Sequence, residues 1–377
     1  MLIMDDTPAW DSRTRARFRR SLKAWYRRHA RPLPWRKTAD PYRIWISEIM
    51  LQQTTVAAVI PYFERFLARF PTLAALARAK EEDVLRLWEG LGYYSRARNL
   101  HKAARVIVRE HGGRFPDEVA MLVELPGIGR YTAGAIASFA FDRPAPIVEA
   151  NTLRLYCRLL GYRDDPRSAA GQRLLWDFAQ EILPRARPGL FNQALMELGA
   201  TLCTPEDANC QCCPVRTCCT AFANGWQKEI PIPATRAAIT EVNEVAVAVH
   251  RDGRYLLRKR PAGERWAGLW DFVRFEPPNG PTSAIQIGRA LRERTRVKVA
   301  GAEHIAQIRH SVTRFRITLD CYTVEWAGGE PAGDNDSFRW VAPRQLAKLP
   351  LSVTGRKFAR LLTVPAVAKV RAGTDQI

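Results

Sequence analysis

Apolar positions in roughly the first 225 residues recur every three to four residues, the period of an amphipathic helix. Phe18, Leu22 and Trp25 fall on one face of the first such helix, and arginines occupy the other face. Asn151 is predicted to cap a later helix and Gly161 to end it. The predicted helices include 63–70, 73–79, 82–91, 100–110, 152–160, 169–182 and 191–202.

The stretch 122–151 predicts two helices joined by a tight Pro-Gly-Ile-Gly turn at 126–129. The first helix ends at Leu125, and Gly129 begins a second helix that runs toward Phe141. Two glycines leave backbone N–H groups uncovered at a helix N-terminus, where the helix dipole also favours negative charge. The turn is a candidate phosphate site, although an ordinary helix connection has the same local pattern.

Beyond residue 231 the apolar pattern changes to one that is typical of strands. An Asp252-Gly253 hairpin turn separates the first two strand-like runs. The runs lie at 242–250, 255–259, 270–275, 304–308, 316–326 and 338–341, with one helix near 284–294. The expected fold class is multidomain: an all-α domain over 1–230, a linker over 231–240, a separate α+β domain over 241–365, and a tail over 366–377.

The chain has 377 residues, of which 47% are apolar and 25% charged, as in soluble globular proteins. No apolar run reaches the roughly 18 residues of a membrane span, and the first residues lack the features of a secretory signal. We therefore expect an intracellular protein, cytoplasmic or associated with the nucleoid, without a membrane partner. The net charge of +20 favours a partner with a phosphate backbone, although a merely soluble basic surface is the alternative.

Six of the eight cysteines fall between Cys203 and Cys219. One tight cluster in a long chain without a secretory signal indicates a metal or iron–sulfur site rather than a disulfide scaffold. The spacing Cys203-x6-Cys210-x2-Cys213-x5-Cys219 offers four thiolates, which suit either a cubane iron–sulfur cluster or tetrahedral zinc. Because two further cysteines lie in the same stretch, spacing alone does not select the four ligands.

Glu48 lies among apolar residues of a predicted helix, with no lysine or arginine within four residues on either side. Such a carboxyl group either turns outward, the usual arrangement, or is buried with a raised pKa. The polar cluster at 52–55 suggests a surface that contacts a polar partner. The glycines, tyrosines and arginines at 90–99 suit a loop on a nucleic acid strand, where aromatic rings stack on bases or wedge between them. Core packing is the alternative for either tyrosine.

Together these motifs resemble the helix-hairpin-helix DNA glycosylases that carry a 4Fe-4S cluster, and within them the MutY-type adenine glycosylases. The cluster loop of that superfamily has the same 6-2-5 cysteine spacing. Further segments similar to MutY lie at 33–36, 45–54, 90–94, 125–134 and 191–194, so the resemblance covers most of the chain. It implies a helical glycosylase domain with an iron–sulfur loop at 203–219, followed by a Nudix-like domain that reads the lesion.

The resemblance assigns roles to individual residues. Glu48 corresponds to the general acid, and Glu149 to the second carboxylate. The ligands of the 4Fe-4S cluster, which is expected to be structural, are Cys203, Cys210, Cys213 and Cys219. The residues of the base pocket are Arg36, Leu51, Tyr131, Asn151 and Gln193. The residues that contact DNA, by wedging or by binding phosphate and lesion, are Gln53, Tyr93, Gly127, Gly129, Arg130 and Thr313.

Tyr131 stands where the related endonuclease III-type lyases have a Schiff-base lysine, so a monofunctional hydrolase is expected. In the implied reaction an uncharged carboxylic acid protonates a ring nitrogen of adenine. The second carboxylate then stabilises an oxocarbenium-like sugar while water attacks, as in glycoside hydrolysis. The adenine must first be flipped out of the duplex.

Two segments depart from the family pattern. The second carboxylate usually lies in Asp-Gly-Asn, whereas residues 149–151 are Glu-Ala-Asn. The longer carboxylate either serves after a compensating backbone shift, or the activity is weakened or redirected. The lesion-reading Phe-Ser-His appears as Val-Thr-Arg at 312–314, although 266–272 fits a Nudix-like domain well. A Nudix hydrolase needs a cluster of glutamates, and 291–296 offers only Glu293, so this domain is expected to bind without catalysis.

We expect a monomeric DNA repair glycosylase that hydrolyses the N-glycosidic bond of adenine mispaired with 8-oxoguanine or guanine in double-stranded DNA. The alternatives are a non-catalytic lesion- or mismatch-binding protein and a glycosylase for another mispair. The full Ser-Glu-Ile-Met-Leu-Gln-Gln-Thr context of Glu48 favours an enzyme, because a protein that only binds DNA has no evident need of a buried acid.

Overall fold

The structure is a computed structural model of the chain, and it describes residues 10–233, 238–277, 282–312, 314–332 and 337–363. Contacts divide the chain into two compact units, one of residues 1–78 and 99–235 and the other of residues 79–98 and 236–377. Within the described residues, no helix is both long and apolar enough to cross a bilayer.

The described chain from residue 10 to residue 225 is mainly helical. The helices are α1 (Ser12–His29), α2 (Pro41–Leu51), α3 (Val56–Arg69), α4 (Leu73–Arg78), α5 (Glu81–Trp88), α6 (Ser95–Glu110), α7 (Val119–Val123), α8 (Arg130–Phe141), α9 (Ala150–Leu160), α10 (Ala169–Ile182), α11 (Pro188–Thr201) and α12 (Thr220–Asn224). Short 3₁₀ turns occur at Pro34–Arg36, Cys210–Cys212 and Arg216–Cys218. Several helices begin at side-chain caps: Asp11, Thr55 and Ser168 each accept a hydrogen bond from a backbone N–H of the first turn.

The apolar face predicted for α1 is buried in the core of the first unit. Phe18, Leu22 and Trp25 pack with Phe178 of α10 and Phe191 of α11. Burial of side chains this large is the main source of stability in such a core. α1 is thereby fixed against α11, which contributes Gln193, Met196 and Ala200 to the wall of the cavity described below.

Helices α2, α8 and α11 lie side by side in the first unit, because α8 contacts both of the others. Small residues permit this approach. A Cβ atom at Gly189, in the first turn of α11, would collide with the carbonyl oxygen of Ser138 in α8. The close packing brings side chains from all three helices to one place.

One predicted cap is wrong. Asn151 lies inside α9, and the residue that caps this helix is Glu149. The carboxylate of Glu149 reaches the backbone N–H of Thr152, and the hydroxyl of Thr152 reaches back to the N–H of Glu149. This reciprocal pair satisfies two backbone donors at once, so the helix begins two residues earlier than predicted. Gly161 ends α9 with a left-handed backbone, as predicted.

The second unit contains a seven-stranded mixed sheet. Its elements beyond residue 238 are β1 (Thr240–Arg251), β2 (Arg254–Lys259), β3 (Trp270–Asp271), β4 (Val273–Phe275), α13 (Ala284–Thr295), β5 (Lys298–Val312), β6 (Phe315–Gly328), β7 (Phe338–Val341), α14 (Pro343–Leu346) and α15 (Val353–Thr363). The strand order is β3-β2-β1-β6-β5, with β4 paired to β1 and β7 paired to β2. β1 and β6 run parallel, and the other pairs are antiparallel.

Apolar clusters cover both faces of this sheet. One contains Trp270, Phe272 and Phe358, and the other contains Ile287 and Leu291 of α13. The sequence predicted α13 but not α15, nor α14, which is a single turn that begins at Pro343. It also predicted only the middle of β5, because the burial of that long strand does not alternate regularly.

Candidate active site

Glu48 is buried in α2, which begins at Pro41 with the side chain of Asp40 as its cap. Only 4% of Glu48 is exposed. The hydroxyl of Tyr131, in the first turn of α8, donates a hydrogen bond to Oε2 of Glu48 at 2.6 Å. The structure therefore has the buried arrangement of Glu48 rather than the outward one.

Burial raises the pKa of Glu48 to about 7, and the nearby charge of Glu149 acts in the same direction. The hydrogen bond from Tyr131 and the charge of Arg36 oppose this shift. Burial also raises the pKa of Tyr131 well above its ordinary value, so the phenol remains an uncharged donor. Glu48 can therefore hold or release a proton near neutral pH, which suits a general acid.

Glu149 is held at the N-terminus of α9. Its Oε1 accepts a hydrogen bond from the N–H of Thr152 at 2.9 Å, and its Oε2 accepts one from Nδ2 of Asn151 at 3.2 Å. Burial raises the pKa of Glu149, and these donors oppose the rise because they favour the ionised form. A carboxylate at a helix N-terminus is also favoured by the helix dipole.

A cavity of about 630 Å³ brings the predicted residues together. Glu48 and Glu149 line it, and so do all of the predicted base-pocket residues: Arg36, Leu51, Tyr131, Asn151 and Gln193. Its volume lies within the range of about 300–1,000 Å³ that is common for small-molecule sites. A flipped nucleotide base would thus meet two carboxylates with different hydrogen-bond partners.

Glu197 of α11 is a buried residue at this site that the sequence analysis missed. Burial by itself would raise the pKa of Glu197, but hydrogen bonds and charges from Arg31 and Arg36 outweigh it and lower the pKa to about 2. On the same helix, Gln193 accepts a hydrogen bond at 2.9 Å from the hydroxyl of Tyr26, which is also buried. In the sequence, Glu197 is a single acidic residue in an otherwise apolar helix. This pattern does not indicate that its partners are Arg31 and Arg36, which lie far away along the chain.

Gln53 and Tyr93, the predicted wedge residues, each have a left-handed backbone. Gln53 has φ 62° and is exposed. Tyr93 has φ 48° and is 47% exposed, whereas the neighbouring Tyr94 is buried. Core packing therefore applies to Tyr94, while Tyr93 presents its ring to solvent. Non-glycine residues in this conformation are strained, and such strain is common at functional sites.

The predicted phosphate turn joins α7 to α8 and is exposed at Gly127, Gly129 and Arg130. Gly127 has φ 77°, which favours glycine. Gly129 caps α8 without a side chain, so the backbone N–H groups of the first turn remain accessible. The guanidinium of Arg130 lies 3.8 Å from the ring centre of Trp176, which fixes it beside the turn. Thr313 lies outside the described residues.

The four predicted cluster ligands line one cavity: Cys203, Cys210, Cys213 and Cys219. Nη1 of Arg158 donates a hydrogen bond to Sγ of Cys203 at 3.3 Å. Burial raises the pKa of Cys213 to about 12 and that of Cys219 to about 11, so their thiolates would need a cationic partner.

The two remaining cysteines of this stretch do not line the cavity in the described part of the chain. Cys212 is exposed, and Cys218 lies near the guanidinium of Arg17. Among the described residues, no group of three or more Cys, His, Asp or Glu side chains has the arrangement of a single-ion site. Four thiol groups that line one space are a donor set that suits either a cubane iron–sulfur cluster or tetrahedral zinc.

In the second unit, the two terminal nitrogens of buried Arg274 bond to Glu244, Asp271, Ser352 and Thr354, while its Nε has no hydrogen-bond partner among the described residues. This network is structural, because every partner belongs to the same sheet or to the segment packed against it. Glu293 is exposed on α13 and pairs with Arg289.

Comparison with known proteins identifies both parts of the sequence. Residues 46–181 match the HhH-GPD superfamily of base excision DNA repair proteins, and residues 244–361 match the NUDIX domain. The adenine DNA glycosylase of Rattus norvegicus is 35% identical, and the match covers 91% of this chain and 77% of the rat protein. That of Homo sapiens is 34% identical, with 91% and 73% covered. The chain belongs to the adenine DNA glycosylase family.

Membership of the adenine DNA glycosylase family confirms the resemblance and the predicted fold class. A thermostable thymine-DNA glycosylase of known structure is 28% identical, with a TM-score of 0.52, and covers 56% of this chain and 98% of its own. The helical glycosylase fold and the Nudix domain that follows it are therefore established.

Proposed function

We propose that this protein excises adenine from double-stranded DNA where adenine is mispaired with 8-oxoguanine or guanine. The observation that carries the proposal is the buried Glu48, whose pKa is raised to about 7 and which lines the same cavity as Glu149. The relatives named adenine DNA glycosylase support adenine as the excised base. The net charge of +20 supports a DNA partner. We infer that the protein acts as a monomer, inside the cell.

Glu48 acts as the general acid in this proposal. Adenine leaves deoxyribose readily only after a ring nitrogen is protonated, and a carboxylic acid with a pKa near 7 retains enough of its proton to do this. Tyr131 keeps the carboxyl group oriented through its hydrogen bond. Because the phenol of Tyr131 forms no Schiff base, the reaction ends in hydrolysis without a lyase step.

Glu149 acts as the electrostatic stabiliser of the sugar. Once adenine departs, positive charge develops on the deoxyribose, and a fixed carboxylate nearby lowers the energy of that state. Two hydrogen bonds, donated by Thr152 and Asn151, hold the carboxylate of Glu149 at the N-terminus of α9. The side chain of Glu149 is longer than that of aspartate and requires a shifted backbone. In this proposal the capping hydrogen bonds of Glu149 hold the backbone in that shifted position.

The remaining residues bind and deform the DNA. The exposed turn at Gly127, Gly129 and Arg130 binds a backbone phosphate through its N–H groups. Gln53 and Tyr93 enter the base stack, which lowers the cost of flipping adenine into the cavity. The Nudix-like domain reads the base opposite adenine without catalysis of its own, since residues 291–296 offer only Glu293 where a Nudix hydrolase needs a cluster of glutamates.

A 4Fe-4S cluster is proposed at the cysteine cavity, held by Cys203, Cys210, Cys213 and Cys219. When bound, the cluster would supply iron atoms to which the cysteine thiolates bind, and these bonds would fix the loop 203–219 in one conformation. Arg158 holds the first of these cysteines in place. The function of the site is then structural, because the cavity that contains Glu48 and Glu149 is a separate one.

The test is single-turnover cleavage of duplexes with adenine opposite 8-oxoguanine, guanine or thymine. The natural protein should release adenine opposite 8-oxoguanine and guanine, and not opposite thymine. Glu48→Gln should abolish release with little loss of duplex binding, and Glu149→Asp should retain it. If only Glu149→Asp is active, the natural chain is a lesion-binding protein. Release of another base would indicate a glycosylase for a different mispair.

A further inference from the structure

Glu197 is a buried carboxylate that the proposed reaction does not use. Its side chain has no solvent exposure. Oε1 accepts hydrogen bonds from the backbone N–H and Nε of Arg31, at 3.0 and 2.7 Å. Oε2 accepts one from Nη2 of Arg31 and one from Nη2 of Arg36, both at 2.8 Å. Two cations therefore share one anion.

Arg36 lies between this anion and the active-site cavity. It lines the same cavity as Glu48, and its charge favours the ionised form of that acid. Besides its bond to Glu197, Nη1 of Arg36 donates to the carbonyl oxygen of Arg31 at 3.3 Å, and the ring centre of Tyr26 lies 5.5 Å from its guanidinium carbon. Three neighbours thus restrain the guanidinium.

We propose that Glu197 is a positioning residue that holds Arg36 away from Glu48, so that Glu48 keeps its proton at neutral pH. The inference rests on the proposed role of Glu48 as general acid. Arginine forms bidentate pairs with carboxylates whenever its geometry permits. A direct pair between Arg36 and Glu48 would stabilise the carboxylate and remove the proton that adenine must receive.

The other groups that face Glu48 set the background for this effect. Tyr131 of α8 donates to Glu48, and Glu149, ahead of α9, adds a second negative charge. From α11, Gln193 and Met196 line the cavity without charge. Among the described residues of the cavity wall, Arg31 and Arg36 are the cations. The net charge of Arg31, Glu197 and Arg36 therefore determines how strongly the wall attracts a negative Glu48.

Substitutions in this triad should shift the protonation of Glu48 in opposite directions. Glu197→Gln raises the charge of the triad by one and frees Arg36, so the midpoint for Glu48 should fall by about one pH unit, a tenfold change in proton affinity. Arg31→Gln lowers the charge by one and leaves Arg36 paired with Glu197, so the midpoint should rise. A residue needed only for folding would not give shifts of opposite sign.

The measurement is ¹³C NMR of the full-length protein labelled at glutamate carboxyl carbons, titrated with pH. The Glu48 signal is assigned by its loss in Glu48→Gln. The double variant Glu197→Gln/Arg36→Gln should bring the midpoint back toward the natural value, because it removes the released cation. Glu181→Gln is the matched control, since Glu181 pairs with Arg15 of α1 and does not line the cavity. In this variant the titration midpoint of Glu48 should equal that in the natural protein.

Unchanged midpoints in folded Glu197→Gln and Arg31→Gln would overturn the inference. If Glu197→Gln does not fold, Arg31→Gln decides, because the side chain of Arg31 is 38% exposed and its loss is better tolerated. Adenine release is recorded in parallel on a duplex with 8-oxoguanine. Shifted midpoints without adenine release would uphold the positioning role and contradict the proposed function. Adenine release with unchanged midpoints for Glu48 would support the proposed function and contradict the positioning role.

Discussion

Arg154 donates a hydrogen bond from Nη2 to Oδ1 of Asn151 at 3.0 Å, and this bond connects the cap of α9 to the cysteine loop. On one side, Nδ2 of Asn151 donates to Oε2 of Glu149. On the other, Nε of Arg154 donates to the carbonyl oxygen of Cys203 at 2.7 Å. The orientation of the second carboxylate thus depends on a residue that is itself held by the first cysteine of the loop.

Arg154→Met should therefore impair both stability and excision. It leaves the buried carbonyl oxygen of Gly199 and the partly buried acceptors on Asn151 and Cys203 without this donor, and a buried acceptor left unpaired costs about 1–3 kcal/mol. A displaced Glu149 should slow adenine release by on the order of 10²-fold. Urea unfolding and single-turnover kinetics measure the two effects.

Arg163→Met provides the control for this prediction. Arg163 pairs with Glu229 at the surface, where both side chains are 57% exposed. Loss of such a pair should change the free energy of unfolding by less than about 1 kcal/mol. Equal stability of the two variants would mean that the buried network around Arg154 contributes nothing.

Glu48 should make the protein less stable as the pH rises. Its pKa of about 7 in the folded protein exceeds the ordinary value of 4.5, so the folded state binds more protons than the unfolded state between these values. The stabilising contribution is complete below pH 4.5 and is lost as the pH rises through 7. Glu48→Gln has no carboxyl group that titrates at this position. Between pH 5 and pH 8 its free energy of unfolding should therefore rise by on the order of 3 kcal/mol relative to that of the natural protein. Urea unfolding at both pH values measures it, and a parallel dependence in both proteins would contradict it.

Gly127→Ala should weaken the phosphate turn. The new Cβ would lie 2.7 Å from Cβ of Asn99, and the backbone at φ +77° disfavours any side chain. The strain should cost about 1–3 kcal/mol and reduce affinity for duplex DNA. Gly288→Ala is the control, because Gly288 lies in α13, outside the turn, and its new Cβ would meet no atom closer than 4.0 Å. Thermal unfolding and a DNA titration should separate the two, and equal losses would disprove the role of the left-handed turn.

Cys203→Ser should abolish the cluster, whereas Cys212→Ser should leave it intact. The natural protein is expected to contain about four iron and four sulfide per chain, with thiolate-to-iron absorbance. Cys212 is exposed and does not line the cysteine cavity. Iron and sulfide analysis of the three proteins provides the test. Zinc in place of iron in the natural protein would contradict the cluster.

Much of the fold follows from interactions between residues that are close along the chain. The helical period around Phe18 and Leu22 and the Pro-Gly-Ile-Gly turn are local patterns, and each predicted the correct element. Backbone hydrogen bonds in helices and turns span only a few residues, so neighbouring residue types suffice to indicate them. The cap of α9 was an exception, because Asn151 and Glu149 are both plausible caps and only the backbone geometry separates them.

The family, the two kinds of fold and the residue types available for chemistry follow from the sequence alone. The sequence leaves two environments open for Glu48, and the packing of α8 against α2 and of α11 against α8 produces the buried one. Glu197 could not be predicted, since its partner Arg31 lies 166 residues away and no local pattern relates them. Desolvation and ion pairing depend on which distant segments meet. The protonation of the candidate acid is therefore a property of the tertiary structure.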